Sequence, residues 1–241
     1  MSDRARVLCV AALIALTASA LAAQTVDEIV AKNIASRGGA EKWKSIESMK
    51  MTGTINAGGR TIDLIAWTKR PNLSRQEMSS NGEKAVQAFD GTRFWVMPPG
   101  APGPQEMKGP PAELAKAQSE FDSVLFDYKN KGATVELVGR ESDEGRAVYH
   151  LKITRKGGAV QHYFLDADTG IERKITSTLN GPNGQTATAT IEFGDFRNVD
   201  GVMVPYTIKN LVDGRPVSQV TVSTIEFNVP IENDLFRMPT K

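Results

Sequence analysis

Apolar residues recur at two spacings along the chain, and each spacing predicts a different element. Between residues 25 and 39 they lie three or four positions apart on one face of a helix, at Val26, Ile29, Val30 and Ile34. Thr25 and Glu28 have the spacing of a capping box, in which each side chain accepts a hydrogen bond from the other residue's backbone N–H. The pattern predicts a one-sided N-terminal helix that Gly38-Gly39 ends.

From residue 48 the apolar spacing changes to two, the period of a strand with one buried face. The first two alternating runs, separated by a turn at residues 56–59, contain Met49, Met51, Ile55, Ile62, Leu64 and Ala66. Arg70-Pro71 ends the second run, because proline lacks a backbone donor. Turns at Asn81-Gly82 and Asp90-Gly91 separate three further strands, the last of which stops at a proline-rich loop.

Residues 98–111 are rich in proline and glycine and show no periodicity, which predicts a loop longer than an ordinary hairpin connection. After Pro111 the helical spacing returns, at Leu114, Ala117, Phe121, Val124, Leu125 and Tyr128. Asp122 falls on the opposite side of this stripe. We predict a helix over residues 111–128 that packs its stripe on the sheet, and the long loop before it would let the helix move as a lid.

The second half of the chain consists of strands at regular spacing between Val135 and Phe227, separated by turns rich in Gly, Asn and Asp. We therefore predict an α+β fold that is mostly β. It has a strongly curved antiparallel sheet of about ten or eleven strands, because so wide a sheet tends to curl or close, with the helices on its open side. No linker or repeat divides residues 23–241, which we interpret as one domain.

The first 22 residues have the three parts of an export signal. Arg4 and Arg6 form a basic head, residues 7–18 are apolar, and Ala20-Leu21-Ala22 is a small-residue cleavage site. The single cysteine, Cys9, lies inside this signal, and none stands at the cleavage site. The mature protein is therefore expected to have neither a lipid anchor nor a disulfide.

Charge excludes some partners. The chain has 29 basic and 28 acidic residues, a net charge of +1. Removing Asp3, Arg4 and Arg6 with the signal leaves the mature part neutral, and it contains no basic run. Nucleic acids and anionic membrane surfaces are therefore poor candidates as partners.

Two groups of residues could carry chemistry, and each has a simpler interpretation. His150 and His162 lie on neighbouring predicted strands, but a zinc site would need a third ligand, so we interpret them as sheet-surface residues. Residues 166–170, Asp-Ala-Asp-Thr-Gly, lack the second aspartate of an aspartic protease and are interpreted as a turn. No hydrolase, phosphate-binding or metalloprotease motif occurs. We therefore expect no catalysis, no metal and no cofactor.

Two short motifs stand in a specific order in the first half. Residues 70–73 read Arg-Pro-Asn-Leu, and residues 90–99 run from Asp-Gly through Phe-Trp to Pro-Pro. In this order they resemble the outer-membrane lipoprotein carriers of the LolA/LolB type. The sheet of those carriers has an Arg-Pro-Asn-Leu bend, followed by an Asp-Gly…Trp strand that ends at proline. The resemblance extends more loosely to residues 227–230 and 234–239.

The resemblance implies an unclosed half-barrel with an N-terminal helix and a helical lid over an apolar cavity. It implies a periplasmic carrier that binds acyl chains of lipoproteins, or another lipid, and moves them between membranes. The partners would be that lipidic ligand, an inner-membrane donor and an outer-membrane acceptor, each met transiently by a monomer. The absence of a cysteine at the cleavage site favours the soluble carrier over the lipid-anchored acceptor. The first alternative is a lipid-sensing regulatory module. A secreted enzyme is the second and less favoured alternative.

The resemblance also implies that Arg70 ties the sheet to the lid, since its guanidinium offers five donors that could hold lid carbonyls. Methionines adapt to irregular ligands. The candidate ligand-binding residues are Arg70, Met49, Met51, Leu64, Met78, Trp95, Met97, Leu114, Phe121 and Leu125. Ser74 and Gln76 stand where such carriers tend to place aromatic residues, which leaves room for an apolar ligand other than a triacyl group.

Overall fold

The computed structural model describes residues 24–109, 112–113, 115–116, 119–181 and 184–240. The predicted export signal and the candidate residue Leu114 lie outside these ranges. Two helices are α1 (Val26–Ser36) and α2 (Ala40–Lys44). The strands are β1 (Ser48–Ala57), β2 (Arg60–Lys69), β3 (Leu73–Ser80), β4 (Glu83–Phe89), β5 (Phe94–Met97), β6 (Gln105–Met107), β7 (Thr134–Asp143), β8 (Arg146–Thr154), β9 (Val160–Asp166), β10 (Glu172–Asn180), β11 (Thr186–Val199), β12 (Val202–Val212) and β13 (Arg215–Phe227). A 3₁₀ turn spans Asn233–Phe236.

The N-terminal helix begins where the capping box predicts. The Glu28 N–H donates to the Thr25 hydroxyl at 3.3 Å, and the Glu28 carboxylate accepts from the Thr25 N–H at 2.8 Å. Past its C-terminal end, Gly38 has a φ of +113°, and a Cβ there would lie 2.4 Å from the carbonyl oxygen of Gly201. Glycine therefore allows the chain after α1 to touch the β11–β12 turn. No helix among the described residues is both long enough and apolar enough to cross a membrane.

The strands form one antiparallel sheet in the order β6-β5-β4-β3-β2-β1-β13-β12-β11-β10-β9-β8-β7. β13 pairs with β1, so the two halves of the chain join in the middle of the sheet. β6 and β7 are its edges, and the fold is the mostly β, unclosed half-barrel that was predicted. The described sheet has thirteen strands rather than about ten or eleven. The count was low partly because β6 lies inside the Pro/Gly stretch, where it shows no sequence periodicity.

Paired residues of an antiparallel sheet point to the same side, so the register assigns the two faces. We call the side that carries α1, α2 and residues 119–133 the inner face. Met51 pairs with Ala66 and Leu64 pairs with Met78 on this face. It carries two buried clusters. One joins α1 to β8 and β9 through Ile29, Val30, Leu151, Ile153, Tyr163 and Leu165. The other joins β12 and β13 through Ile46, Val202, Val204, Tyr206 and Val222.

The outer face of β2–β5 is covered by the C-terminal segment, residues 228–240. The indole N–H of Trp95 donates to the Phe236 carbonyl at 2.9 Å, and the Arg75 guanidinium donates to the Leu235 carbonyl at 2.9 Å. Trp95 and Phe236 are both fully buried. Because this segment occupies the outer face, the residues beneath it form a third core cluster of Val86, Ala88 and Trp95.

The prediction of a helix over residues 111–128 is wrong for the second part of this range. Residues 112–113 and 115–116 are helical, but residues 119–132 form turns and bends. The Ser119 hydroxyl donates to the Lys116 carbonyl, and Asp127 has a φ of +59°. Short polar side chains that bond to the nearby backbone compete with helical bonds, which favours an end of the helix near Ser119. We call residues 119–133 the covering segment, since they lie over the inner face.

Candidate functional site

Arg70 lies at the end of β2 and contacts three parts of the chain. Its Nε donates to the Ile46 carbonyl at 2.6 Å, and one Nη2–H donates to the Trp43 carbonyl at 2.8 Å. The remaining donors reach both carboxylate oxygens of Asp122 in the covering segment, at 2.6 and 2.8 Å. A planar fork that binds both oxygens of a carboxylate makes a strong and geometrically specific contact. Arg70 therefore joins the sheet, the end of α2 and the covering segment.

This pairing corrects one prediction and refines another. Asp122 was predicted to face away from the sheet, and instead it faces Arg70. Arg70 was expected to hold backbone carbonyls of the lid, whereas the carbonyls that it holds belong to residues 43 and 46. The side chains of Arg70 and Asp122 are about 20% and 17% exposed, so the pair is partly shielded from water. The Arg70 guanidinium also lies 4.5 Å from the centre of the Phe121 ring, which is a cation–π distance.

A second polar attachment lies at the other end of the covering segment. The Tyr128 hydroxyl donates to one oxygen of Asp27 at 2.6 Å, and the Lys129 ammonium donates to the other at 2.7 Å. These two bonds, from Lys129 first and Tyr128 second, hold the pKa of the Asp27 carboxyl below its usual value. The segment is therefore attached to α1 by side chains that are open to solvent.

The backbone of the covering segment bonds only to itself and to the residues just before it. Its described main-chain hydrogen bonds run between residues 115 and 133, for example from the Ala133 N–H to the Tyr128 carbonyl. None joins it to a strand of the described sheet. The segment could therefore move without breaking a ladder of the sheet.

Apolar burial supplies the rest of its attachment. Val124 and Leu125 are 2% and 1% exposed and pack into the cluster that holds Tyr163 and α1. Burial raises the pKa of the Tyr163 hydroxyl to about 12, which fits its place beneath the segment. Burying a side chain of this size contributes ~1.5–3 kcal/mol, so these two residues together contribute roughly 3–6 kcal/mol to the closed form.

A small cavity lies between the covering segment and the two helices. Its volume is about 130 Å³, and its walls include Ile34, Arg37, Trp43, Phe121, Phe126 and Glu172. A cavity of about 150 Å³ holds one benzene-sized molecule, whereas pockets for larger ligands span roughly 300–1,000 Å³. The closed form therefore has room for a small apolar group and not for a long acyl chain.

The structure brings together only some of the predicted site residues. Met49, Met51, Leu64 and Met78 share the inner face of β1–β3. Phe121 lines the cavity and Leu125 is buried beside it. Trp95 and Met97 do not join them, because their partners Ala88 and Val86 place them on the outer face, against the C-terminal segment.

The sequence interpretation missed the polar wall of the cavity. Arg37 donates to the Glu172 carboxylate at 2.8 Å, and its guanidinium lies 5.5 Å from the centre of the Trp43 ring. Glu172 is 4% exposed. Arg37 stands directly before Gly38-Gly39, which was interpreted only as a helix stop. The acidic residue that opens β10 was not distinguished from its polar neighbours.

His150 and His162 lie on the outer face, away from this cavity. A ring nitrogen of His150 lies 2.7 Å from a ring nitrogen of His162, and its other ring nitrogen lies 2.6 Å from the Glu141 carboxylate. The His150 ring stacks on Phe164 with centres 4.4 Å apart. Among the described residues, no group of three His, Cys, Asp or Glu side chains could hold a metal ion. These contacts place the pair within the sheet-surface packing.

We expect the stability of the protein to fall as the pH drops below 6.5. The pKa of His162 lies below its ordinary value of 6.5, mainly because burial disfavours the charged ring, and His150 and Lys152 add to the effect. The unfolded chain then binds more protons than the folded chain at acid pH, so acid favours unfolding. Urea unfolding at about pH 7.5 and about pH 5 measures the loss of unfolding free energy on acidification. This loss should be smaller in His162→Gln than in the unmodified protein, with a difference of less than about 1 kcal/mol. Equal drops in both proteins would contradict this.

Neither a family model nor a curated protein sequence matches the chain. Solved structures do. One is a DUF1329 family protein from Desulfovibrio piger, 14% identical, with a TM-score of 0.62 over 88% of this chain and 97% of that one. Another is a LolA superfamily protein from Nitrosomonas europaea, 16% identical, with a TM-score of 0.59 over 89% and 98%. A third is a putative outer membrane lipoprotein-sorting protein domain from Vibrio parahaemolyticus, 13% identical, with a TM-score of 0.57 over 87% and 94%. The resemblance to the lipoprotein carriers is confirmed at the level of the fold.

Proposed function

We propose that this protein is a periplasmic carrier that binds a lipoprotein acyl chain or another lipid beneath the covering segment and moves it between membranes. One observation carries the proposal. The covering segment lies over the inner face, bonds its backbone internally, and is held to the sheet by the Arg70–Asp122 pair and by apolar burial. The fold, shared with a lipoprotein-sorting domain, supports the same function.

Burying an acyl chain gains more free energy than opening the covering segment loses in apolar burial. Burying a methylene contributes ~0.8 kcal/mol, so a chain of about twelve methylenes gains roughly 10 kcal/mol on leaving water. Releasing Val124 and Leu125 costs roughly 3–6 kcal/mol by the same measure, before the entropy of ordering is counted. A lipid could therefore displace the segment, and because breaking the Arg70–Asp122 pair adds to the cost of opening, the net gain is smaller than that of burying the chain alone.

The cavity walls support binding rather than catalysis. Arg37 in the cavity wall pairs with the Glu172 carboxylate, and the wall residue Asp122 pairs with Arg70. Side chains engaged in such pairs hold the structure together. We further propose that residues 1–22 direct export and are removed, and that residues 23–241 act as one monomeric lipid-binding domain. The donor and acceptor membranes are part of the same proposal.

The direct test is native mass spectrometry of the chain without residues 1–22, mixed with a palmitoylated peptide. We expect a complex with one acylated peptide per protein, because the closed cavity can enlarge when the covering segment moves. The same peptide without its acyl chain is the control and should not bind. If no adduct forms at any ratio of protein to acylated peptide, the carrier proposal is wrong.

A further inference from the structure

A groove lies on the far side of the covering segment, between this segment and the β8–β9 turn. Its volume is about 710 Å³, which is within the range of pockets that hold small ligands, roughly 300–1,000 Å³. Its walls include Glu120, Val124, Lys131, Ala133, Arg155 and Lys156. The wall contributed by Val124 and Ala133 is apolar, whereas the rim carries more positive than negative side chains.

Lys131 is a partly buried cation in the wall of this groove. Its ammonium donates to two carbonyls of the covering segment, those of Asp122 at 3.2 Å and Ser123 at 2.9 Å. It forms no ion pair with any residue that the structure describes, and burial lowers its pKa. The two carbonyls satisfy donors of the ammonium, but its charge has no counter-ion among the described residues, and a charge that is taken out of water is further stabilised by one.

The other cations of the rim differ in how far they are already engaged. Arg155 donates to the Glu120 carboxylate at 2.8 Å, so its charge is compensated. Lys156 is exposed in the β8–β9 turn and forms no ion pair within the described chain. Lys116, Lys131 and Lys156 therefore line the groove without an ion pair within the described chain, and the carboxylates of its rim are Glu113 and Glu120.

The covering segment is the wall between this groove and the small cavity. Phe121 and Phe126 face the cavity, whereas Val124 and Lys131 face the groove. Movement of the segment, which the proposed function requires, would join the two spaces. A ligand could then place a chain in the interior while its head stays in the groove.

We propose that the ligand is an anionic single-chain amphiphile. Its carboxylate or phosphate head binds Lys131 and Lys156, and its chain passes beneath the covering segment. The inference rests on the proposed carrier function and specifies the chemistry of what is carried. An anionic head supplies the counter-ion that Lys131 lacks, and a neutral head does not. Charge-assisted hydrogen bonds of this kind are about twice as strong as neutral ones.

The test compares three probes by titration calorimetry at low salt: palmitoyl lysophosphatidic acid, monopalmitoylglycerol and glycerol 3-phosphate. We expect the anionic lipid to bind about tenfold tighter or more than the neutral lipid, and the head alone to bind far more weakly. The preference should disappear in Lys131→Met combined with Lys156→Ala. Methionine keeps the length of the lysine stem but cannot donate to the Asp122 and Ser123 carbonyls, so urea unfolding of the double variant checks that the covering segment still packs. Lys209→Ala removes an exposed lysine on β12, away from the groove, and should leave the preference intact.

Each other outcome has a separate meaning. Equal affinity for the two lipids, unchanged in the double variant, would overturn the anionic head group and leave lipid carriage supported. Glycerol 3-phosphate binding as tightly as the anionic lipid would identify a phosphate site and also overturn the amphiphile. If none of the three probes binds and the protein also forms no adduct with acylated peptide, the carrier proposal itself is wrong.

Discussion

Replacing Arg70 with leucine is expected to tighten the apparent binding of lipid about tenfold and to lower the stability of the empty protein by roughly 3–5 kcal/mol. In the proposed mechanism the Arg70–Asp122 pair breaks when the covering segment opens, so it stabilises the empty form and competes with the ligand. Without Arg70 the closed form also retains a partly buried carboxylate that lacks its partner. Lipid affinity by fluorescence displacement and unfolding in urea measure the two effects.

Two substitutions of a carboxylate by its neutral amide separate the effect of the Arg70–Asp122 contact from general destabilisation. Asp122→Asn weakens the contact but leaves Arg70 bonded to the carbonyls of residues 43 and 46, so binding should tighten in the same direction. Glu77→Gln is the matched control. Glu77 accepts two bonds from Arg75, at 2.9 and 2.6 Å, on the opposite face of the sheet. It should cost stability without changing lipid affinity. If both amides tighten binding equally, the covering segment is not the element that Arg70 controls.

Local chemistry predicted most of the elements. The capping box placed the start of α1 at the correct residue. Turn residues tolerant of positive φ also marked hairpins correctly: Asn81, Asp200 and Asp213 have φ values of 52°, 48° and 48°. These signals involve only neighbouring residues, so a single sequence carries them in full. They account for the correct fold class, whereas the pairing of β1 with β13 involves residues far apart in the chain and was not predicted.

The covering segment shows where local pattern fails. Its apolar residues have helical spacing, and Val124 and Leu125 are buried as that spacing predicts. The backbone nevertheless leaves the helix near Ser119, whose hydroxyl bonds back to its own turn, and Asp127 further on adopts a positive φ. Burial was predicted and conformation was not. Asp122 was predicted to face away from the sheet for the same reason, because the prediction placed it on a helix that ends before it.

The sequence alone could not predict on which face of the sheet each apolar side chain lies. Trp95 and Met97 are large and apolar like Met49 and Met51, and composition alone groups them together. Their side is fixed by register across three hairpins, and by a C-terminal segment that covers the outer face. That segment docks through backbone carbonyls at residues 229, 231, 235 and 236, which have no sequence signature.

Replacing Trp95 with alanine is accordingly expected to lower the free energy of unfolding by about 3–5 kcal/mol and to leave lipid affinity unchanged. Its ring is 1% exposed within the outer cluster, and its N–H holds the C-terminal segment at Phe236. The lost ring leaves a space on the side of the sheet that faces away from the covering segment. Urea unfolding measures the first quantity, and lipid affinity measured where the variant is still folded gives the second.

Leu64→Ala provides the contrast, because Leu64 is 3% exposed on the inner face and pairs with Met78. It should cost a similar 2–5 kcal/mol and should also change lipid affinity, since it reshapes the surface on which the chain would lie. The two substitutions thus remove comparable packing from opposite sides of one sheet. A loss of lipid affinity in Trp95→Ala as large as that in Leu64→Ala would mean that the ligand contacts the outer face, beneath the C-terminal segment rather than the covering segment.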